Sequence, residues 1–224
     1  MRTAETVVTR HMRYHTAMNS APAPEIIDGP MTMAGDIERI DQLPPGPLYV
    51  FGYGSLLWRP GFDYLATHRA RIHGFHRALR VWSFHHRGTP DRPGLVLGLD
   101  RGGSCLGCMF EVAEGNKRAA AEYLWEREMV TDVYTPRLVT VHCEAGRFSA
   151  LTFVLDRNHE QYAGSLRPEH AARHILGARG ASGDNPEYVR ETVAGLKRLG
   201  VRDRGLRSVL NQMERSAGRE PPSD

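Results

Sequence analysis

The chain has 224 residues and a net charge of +3, from 29 basic and 26 acidic residues, with 41% hydrophobic and 25% charged composition. Those are the proportions of a globular domain, and no apolar run approaches the roughly 20 residues a spanning helix needs. The charge excess is too small for a domain-wide nucleic-acid footprint, and three cysteines, Cys105, Cys108 and Cys143, cannot all pair, which points to a reducing compartment, the cytoplasm.

Residues 1–47 read as a disordered or loosely packed extension. Pro22, Pro24, Pro30, Pro44, Pro45 and Pro47 interrupt regular structure there,, leaving room for a short amphipathic turn around Ile37–Ile40. Leu48–Phe51 is an apolar run that stops at Gly52, a buried strand entering a glycine turn. Residues 70–84 alternate in part and predict one or two strands. Leu95–Leu99 predicts another, Asp100–Gly103 a turn, and Cys105–Val112 a further strand. Asn116 is placed to cap a helix reaching about Met129. Leu138–His142 and Phe148–Leu155 form a predicted hairpin across Ala145-Gly146. Pro168 suits the first turn of a helix ending near Gly177. Asp184 or Asn185, followed by Pro186, opens a helix to about Leu199, closed by Gly200. A last helix spans Gly205–Arg215, and residues 217–224 read as a polar tail.

Strands, a helix, more strands and then helices are not the alternation of a doubly wound sheet. The order predicts a mixed α+β domain over 48–216, a small curled β-sheet or β-barrel core flanked by helices.

Two segments carry candidate chemistry. In Gly52-Tyr53-Gly54-Ser55, glycines allow close backbone approach and successive N–H groups can form an anion nest. A tight turn without a ligand fits the same pattern. The third glycine of a dinucleotide fingerprint and the Lys-Ser/Thr of a P-loop are absent. In Asn116–Met129, Glu128 lies one helical turn beyond Leu124 and near Ala121 and Trp125, apart from the charged stripe of Arg118, Glu122 and Glu126. Apolar neighbours and the negative end of the helix dipole both raise its pKa, and Arg127 opposes them. The group is either a proton shuttle working near neutral pH or a partly buried glutamate paired with an arginine. Cys105-x-x-Cys108 on a strand points to opposite faces and cannot grip one metal. His85 and His86 read as loop or core histidines, and Tyr188 as a core aromatic or a ligand contact.

Val50-Phe-Gly-Tyr-Gly-Ser-Leu-Leu-Trp58, His86-Arg87-Gly88 with Pro93-Gly94, Cys108-Met-Phe110, Tyr123-Leu-Trp-Glu-Arg-Glu128 and Ser182-Gly-Asp-Asn-Pro-Glu-Tyr188 together resemble the ChaC family of glutathione-specific γ-glutamylcyclotransferases. The likeness covers roughly Leu48 to Gln212. It implies a small β-barrel core, Glu128 as the acid/base, and Val50, Phe51, Gly52, Tyr53, Gly54 and Ser55 lining the γ-glutamyl pocket, with Tyr188 beside them. It implies glutathione as the small-molecule substrate, no metal or organic cofactor, and no nucleic-acid or membrane partner. Some relatives carry Gly-Gly-Tyr after the catalytic region, where this chain has Met129–Tyr134. Close ligand approach at the turn predicts that Gly54→Ala is damaging.

Overall fold

A computed structural model describes residues 34–217; the expectations for residues 1–33 and 218–224 lie outside it. A five-stranded mixed barrel forms the centre. Strand β2 (Leu48–Gly52) pairs antiparallel with β4 (Gly94–Val112), β4 with β3 (Ala66–Ser83), β3 with β5 (Tyr134–Cys143), and β5 with β6 (Gly146–Leu155). A parallel bridge, Val50↔Leu151, returns β6 to β2 and closes the ring. Closure removes free edges. The short strand β1 (Gly35–Asp36) adds to the outside of β5.

β4 corrects the predicted break at Asp100–Gly103. The strand runs through those residues, and β3 runs unbroken opposite it. Gly102 and Gly103 adopt positive φ there, as does Gly74 across the ladder. The register shifts between His73 and Phe75, so the glycines bend the pair as a bulge instead of ending it,. That bend lets two long strands curl into a small barrel.

The 34–47 segment also departs from a loosely packed extension. Gly35 and Asp36 pair with Leu138 and Arg137. Ile37 and Leu43 are buried with Leu48 and Val50 in the core under helix α1 (Lys117–Glu128). Apolar side chains at 37 and 43 drive the docking despite the prolines.

The barrel carries two apolar layers, and β2 alternates between them. Leu48 and Val50 face α1, whereas Phe51 joins the layer covered by α2 (Pro168–Ile175), α3 (Asn185–Arg198) and α4 (Arg204–Ala217),. Cys105 lies in the second layer and Cys108 in the first, on opposite faces of β4.

A two-residue ribbon, β7 (Arg179–Gly180) and β8 (Gly183–Asp184), precedes α3. Its tip docks on the segment after β3: the Ala181 and Ser182 N–H groups donate to the His85 and His86 carbonyls. Asp184 is the N-cap residue of α3 but makes no side-chain cap bond. Asn185 serves a tertiary purpose instead. Its fully buried amide accepts from Leu95 N–H at 2.7 Å and donates to Leu95 O at 3.0 Å. It thereby behaves like a neighbouring strand toward β4 and fixes the start of α3.

Candidate active site

The α1 helix approaches the barrel on small residues, Ala120 and Ala121, with Leu124 beneath. Glu128, one turn beyond Leu124, closes the helix with its side chain 18% exposed. Burial pushes its carboxyl above the ordinary glutamate range,. Arg127 acts the other way, its Nε lying 3.3 Å from Glu128 Oε1. Glu122 and Glu126 are exposed, and Glu122 pairs with Arg118 at 2.8 Å.

Three phenols lie around this carboxyl, Tyr53 and Tyr188 buried and Tyr134 half-buried. Burial raises the pKa of Tyr53, Tyr134 and Tyr188, and the charge of Glu128 adds to each. Tyr53 donates its hydroxyl proton to Phe153 O at 3.0 Å, and Tyr134 to Leu97 O at 2.7 Å. Tyr188 differs: its oxygen accepts from Leu97 N–H at 3.1 Å. Its hydroxyl, pushed up to about 12, therefore stays protonated at neutral pH, and its hydrogen meets no acceptor among the described residues.

Glu128, Tyr134, Tyr188 and Ser55 line a cavity of about 430 Å³. The segment after β3, with His86 and Arg87, and the β7–β8 tip, with Ser182, line it as well. Val130, Thr131 and Val133, from the stretch that departs from some relatives, form one rim.

The glycine turn divides in function. The Val50 and Phe51 side chains belong to the two core layers and do not reach the cavity. Gly52 is where packing is tightest: an added Cβ would lie 2.9 Å from the Phe110 ring and 3.0 Å from Leu56 Cβ. At Gly54 the same atom would meet only ordinary contacts, 3.6 Å from Tyr188 Oη and 3.8 Å from Leu97 Cδ1. Crowding expected at Gly54 therefore falls at Gly52. Gly52→Ala is expected to cost about 1–3 kcal/mol through overpacking, and Gly54→Ala clearly less, as measured by urea unfolding of the two variants.

Gly54 is a buried residue, yet among the described residues its N–H and that of Ser55 find no acceptor. Unpaired buried donors are uncommon in folded chains. The turn itself is held by other groups: Leu57 N–H donates to Gly54 O, and Trp58 and Arg59 N–H to Ser55 O. Ser55 Oγ accepts from Arg127 Nη2 at 2.8 Å, and the same guanidinium donates to Arg59 O at 2.7 Å and Tyr123 Oη at 2.9 Å. Arg127 thus ties the glycine turn to the helix that carries Glu128.

Of the residues expected around the substrate, Glu128, Ser55 and Tyr188 present side chains to one cavity. Gly54 lies next to Ser55 behind the cavity wall, and Val50, Phe51, Gly52 and Tyr53 shape the turn from within the core. The sequence reading gives Arg87 no role and takes His86 as a loop or core histidine. The Arg87 guanidinium is 6% exposed, stacked 5.7 Å from the Trp58 ring centre and 5.4 Å from that of Tyr188. It donates to Asp184 O at 3.0 Å, and its nearest carboxylate, the exposed Glu187, is 3.7 Å away. His86 Nδ1 lies 3.0 Å from Ser182 Oγ, burial lowers its pKa, and its Nε2 is buried without a partner among the described residues. Adjacent histidines followed by Arg-Gly were the only local signal, and no periodicity could tell a cavity wall from a loop.

The family model described as ChaC-like protein matches residues 48–216. The chain is 33% identical over 166 residues to the "Glutathione-specific gamma-glutamylcyclotransferase" of Escherichia coli (strain K12), covering 74% of this chain and 72% of that protein. It is 32% identical over 183 residues to "Glutathione-specific gamma-glutamylcyclotransferase 1" of Mus musculus, covering 80% and 81%. Its fold superposes on the crystal structure of a γ-glutamyl cyclotransferase specific to glutathione from yeast with a TM-score of 0.69 and 23% identity, over 76% of this chain and 96% of that one. A barrel with an acidic helix end facing a glycine turn, together with these matches, establishes that the chain belongs to the ChaC-like family.

Proposed function

We propose that the chain is a glutathione-specific γ-glutamylcyclotransferase, which converts glutathione to 5-oxoproline and Cys-Gly. One observation carries the reading: a half-buried carboxyl with a raised pKa lines the same cavity as Ser55, in a turn whose Gly54 and Ser55 N–H groups meet no acceptor among the described residues. The relatives named above supply the substrate.

The reaction joins two parts of one molecule. Glu128 as carboxylate takes a proton from the substrate α-ammonium. The freed amine attacks the γ-carbonyl carbon, forming the lactam C–N bond and a tetrahedral oxyanion. Collapse breaks the original amide C–N bond: the Glu128 carboxyl gives its proton to the departing nitrogen, takes the second proton from the ring nitrogen to leave the lactam N–H, and passes it to the freed Cys-Gly amine, which leaves as an ammonium. Water is not consumed. A group that both accepts and returns a proton works best with a pKa near the working pH, which is the direction burial moves Glu128. The Gly54 and Ser55 N–H groups suit the oxyanion, and such donors are commonly worth about 10²–10³ in rate. Tyr188, whose hydroxyl hydrogen meets no acceptor among the described residues, stands beside them. Holding the flexible γ-glutamyl arm folded onto itself supplies a further large factor.

Arg87 provides the counter-charge for a substrate carboxylate. This buried guanidinium pairs only with the exposed Glu187 at 3.7 Å and donates to one carbonyl, Asp184 O, so it keeps N–H donors for an incoming anion,. Three cysteines without disulfide bonds suit a cytoplasmic setting. No helix among the described residues is long and apolar enough to cross a membrane. Incubation of the purified protein with glutathione is expected to yield equal amounts of 5-oxoproline and Cys-Gly. Release of free glutamate, or faster turnover of another γ-glutamyl amine in a substrate panel, would overturn the assignment.

A further inference from the structure

The donor turn is held from behind by an ion pair that does not touch the cavity. Arg77, on β3, is buried, its side chain only 4% exposed. One terminal nitrogen donates to Tyr53 O and to Leu106 O, both at 3.0 Å. Its Nε donates to Asp203 Oδ2 at 3.0 Å. Asp203 has a second engagement: its other carboxylate oxygen accepts from Leu206 N–H at 2.9 Å in the first turn of α4. The guanidinium is therefore fixed at both ends, and the Tyr53 carbonyl is fixed to it.

That carbonyl belongs to the Tyr53–Gly54 peptide. A peptide unit is planar and trans, so its C=O and N–H point in opposite directions. Turning the Tyr53 oxygen toward Arg77 turns the Gly54 N–H away from it. Among the described residues that N–H meets no acceptor. A Cβ added at Gly54 would meet Tyr188 and Leu97, and Tyr188 and the adjoining Ser55 line the cavity. A peptide ending in glycine is also the kind most free to rotate as a unit. Rotation here would withdraw the donor and offer a carbonyl oxygen in its place, repelling a developing oxyanion.

We propose that Arg77, braced by Asp203, is a positioning residue that holds the Tyr53–Gly54 peptide with its N–H directed at the reaction centre. The proposal rests on the cyclotransferase reading and deepens it. The effect falls on the transition state, where negative charge appears on oxygen, so it lowers kcat and leaves KM nearly unchanged.

The test compares steady-state glutathione turnover of the full-length wild type with Arg77→Met, Arg77→Lys, Asp203→Asn and the control Arg80→Met. Arg80 forms a comparable ion pair with Asp100 and hydrogen-bonds Tyr162 on another part of β3, so its loss reports structural damage alone. Arg77→Met is expected to lower kcat by about 10²-fold with KM within threefold. Arg77→Lys, whose single ammonium cannot match the spread of a guanidinium fork, is expected to recover part of that loss. Arg80→Met is expected to keep kcat within threefold despite a lower Tm. Asp203→Asn retains an oxygen for the α4 cap and is expected to lower kcat about tenfold. It decides the question should Arg77→Met fail to fold. Folded Arg77→Met with kcat within threefold of wild type, a rise in KM alone, or an equal loss in Arg80→Met overturns the proposal. A wild-type protein that forms no 5-oxoproline overturns the cyclotransferase reading instead, and the two failures are thereby distinct.

Discussion

Glu128→Gln is expected to fold normally and to lose glutathione turnover by at least 10²-fold, the usual scale of general acid–base assistance. The substitution keeps shape and hydrogen-bonding atoms but removes the exchangeable carboxyl proton. Glu126→Gln, two residues away on the helix and exposed, is expected to stay within threefold of wild type. Retention of more than about a tenth of turnover by Glu128→Gln removes Glu128 from the acid/base role, and a dead Glu126→Gln transfers that role.

The same pair of proteins reads out the burial of Glu128. Its folded-state pKa is raised by desolvation, with Arg127 in partial opposition. Folding therefore favours the protonated form. Wild-type stability relative to Glu128→Gln is greatest below the ordinary glutamate range and is lost as pH rises through the raised folded value. At neutral pH Glu128→Gln is expected to be at least as stable as wild type by thermal unfolding. The acid limb of wild-type kcat/KM is expected above the range of an exposed glutamate and absent from any residual activity of Glu128→Gln. A variant clearly less stable than wild type at neutral pH would indicate that the Arg127 pairing outweighs desolvation.

Arg87→Met is expected to raise the KM for glutathione at least tenfold with a smaller change in kcat. A charge-assisted hydrogen bond contributes about 1.5–3 kcal/mol, and each 1.4 kcal/mol is a factor of ten. The reasoning starts from what Arg87 lacks. It is buried between Trp58 and Tyr188, bonded to one carbonyl, and 3.7 Å from a carboxylate that sits in solvent. Burial lowers its pKa, with Glu187 and Asp184 in partial opposition. An apolar side chain there is expected to leave Tm unchanged or higher, although Asp184 O loses a donor. Arg87→Lys is expected to resemble Met more than wild type, because an ammonium cannot lie flat between two rings. A fall in Tm of many degrees with unchanged KM would make Arg87 a structural brace for Asp184.

Much of the site was legible because its signals are local. Glu128 stands out by its place on a helical wheel, four residues after Leu124 and away from Arg118 and Glu122. Burial moves that carboxyl in the expected direction, with Arg127 opposing. Gly52 and Gly54 mark a special turn by composition alone, but not which glycine is crowded and which is open, since Phe110 decides that from β4. Glycines at 102 and 103 spelled a turn and made a bulge, because β3 offered a partner ladder on both sides of them.

The chain itself determined the helix ends, the alternation of β2 between two faces and the isolation of one carboxyl on an apolar stripe. Each follows from bonds and periodicities reaching a few residues. Only the tertiary structure decided the closure of the barrel through Val50↔Leu151, the docking of Ala181 and Ser182 on His85 and His86, and the seating of Arg87 against Tyr188. Those contacts join segments about 100 residues apart. Their partners are chosen by shape and burial of the whole domain, for which short-range spacing carries no record.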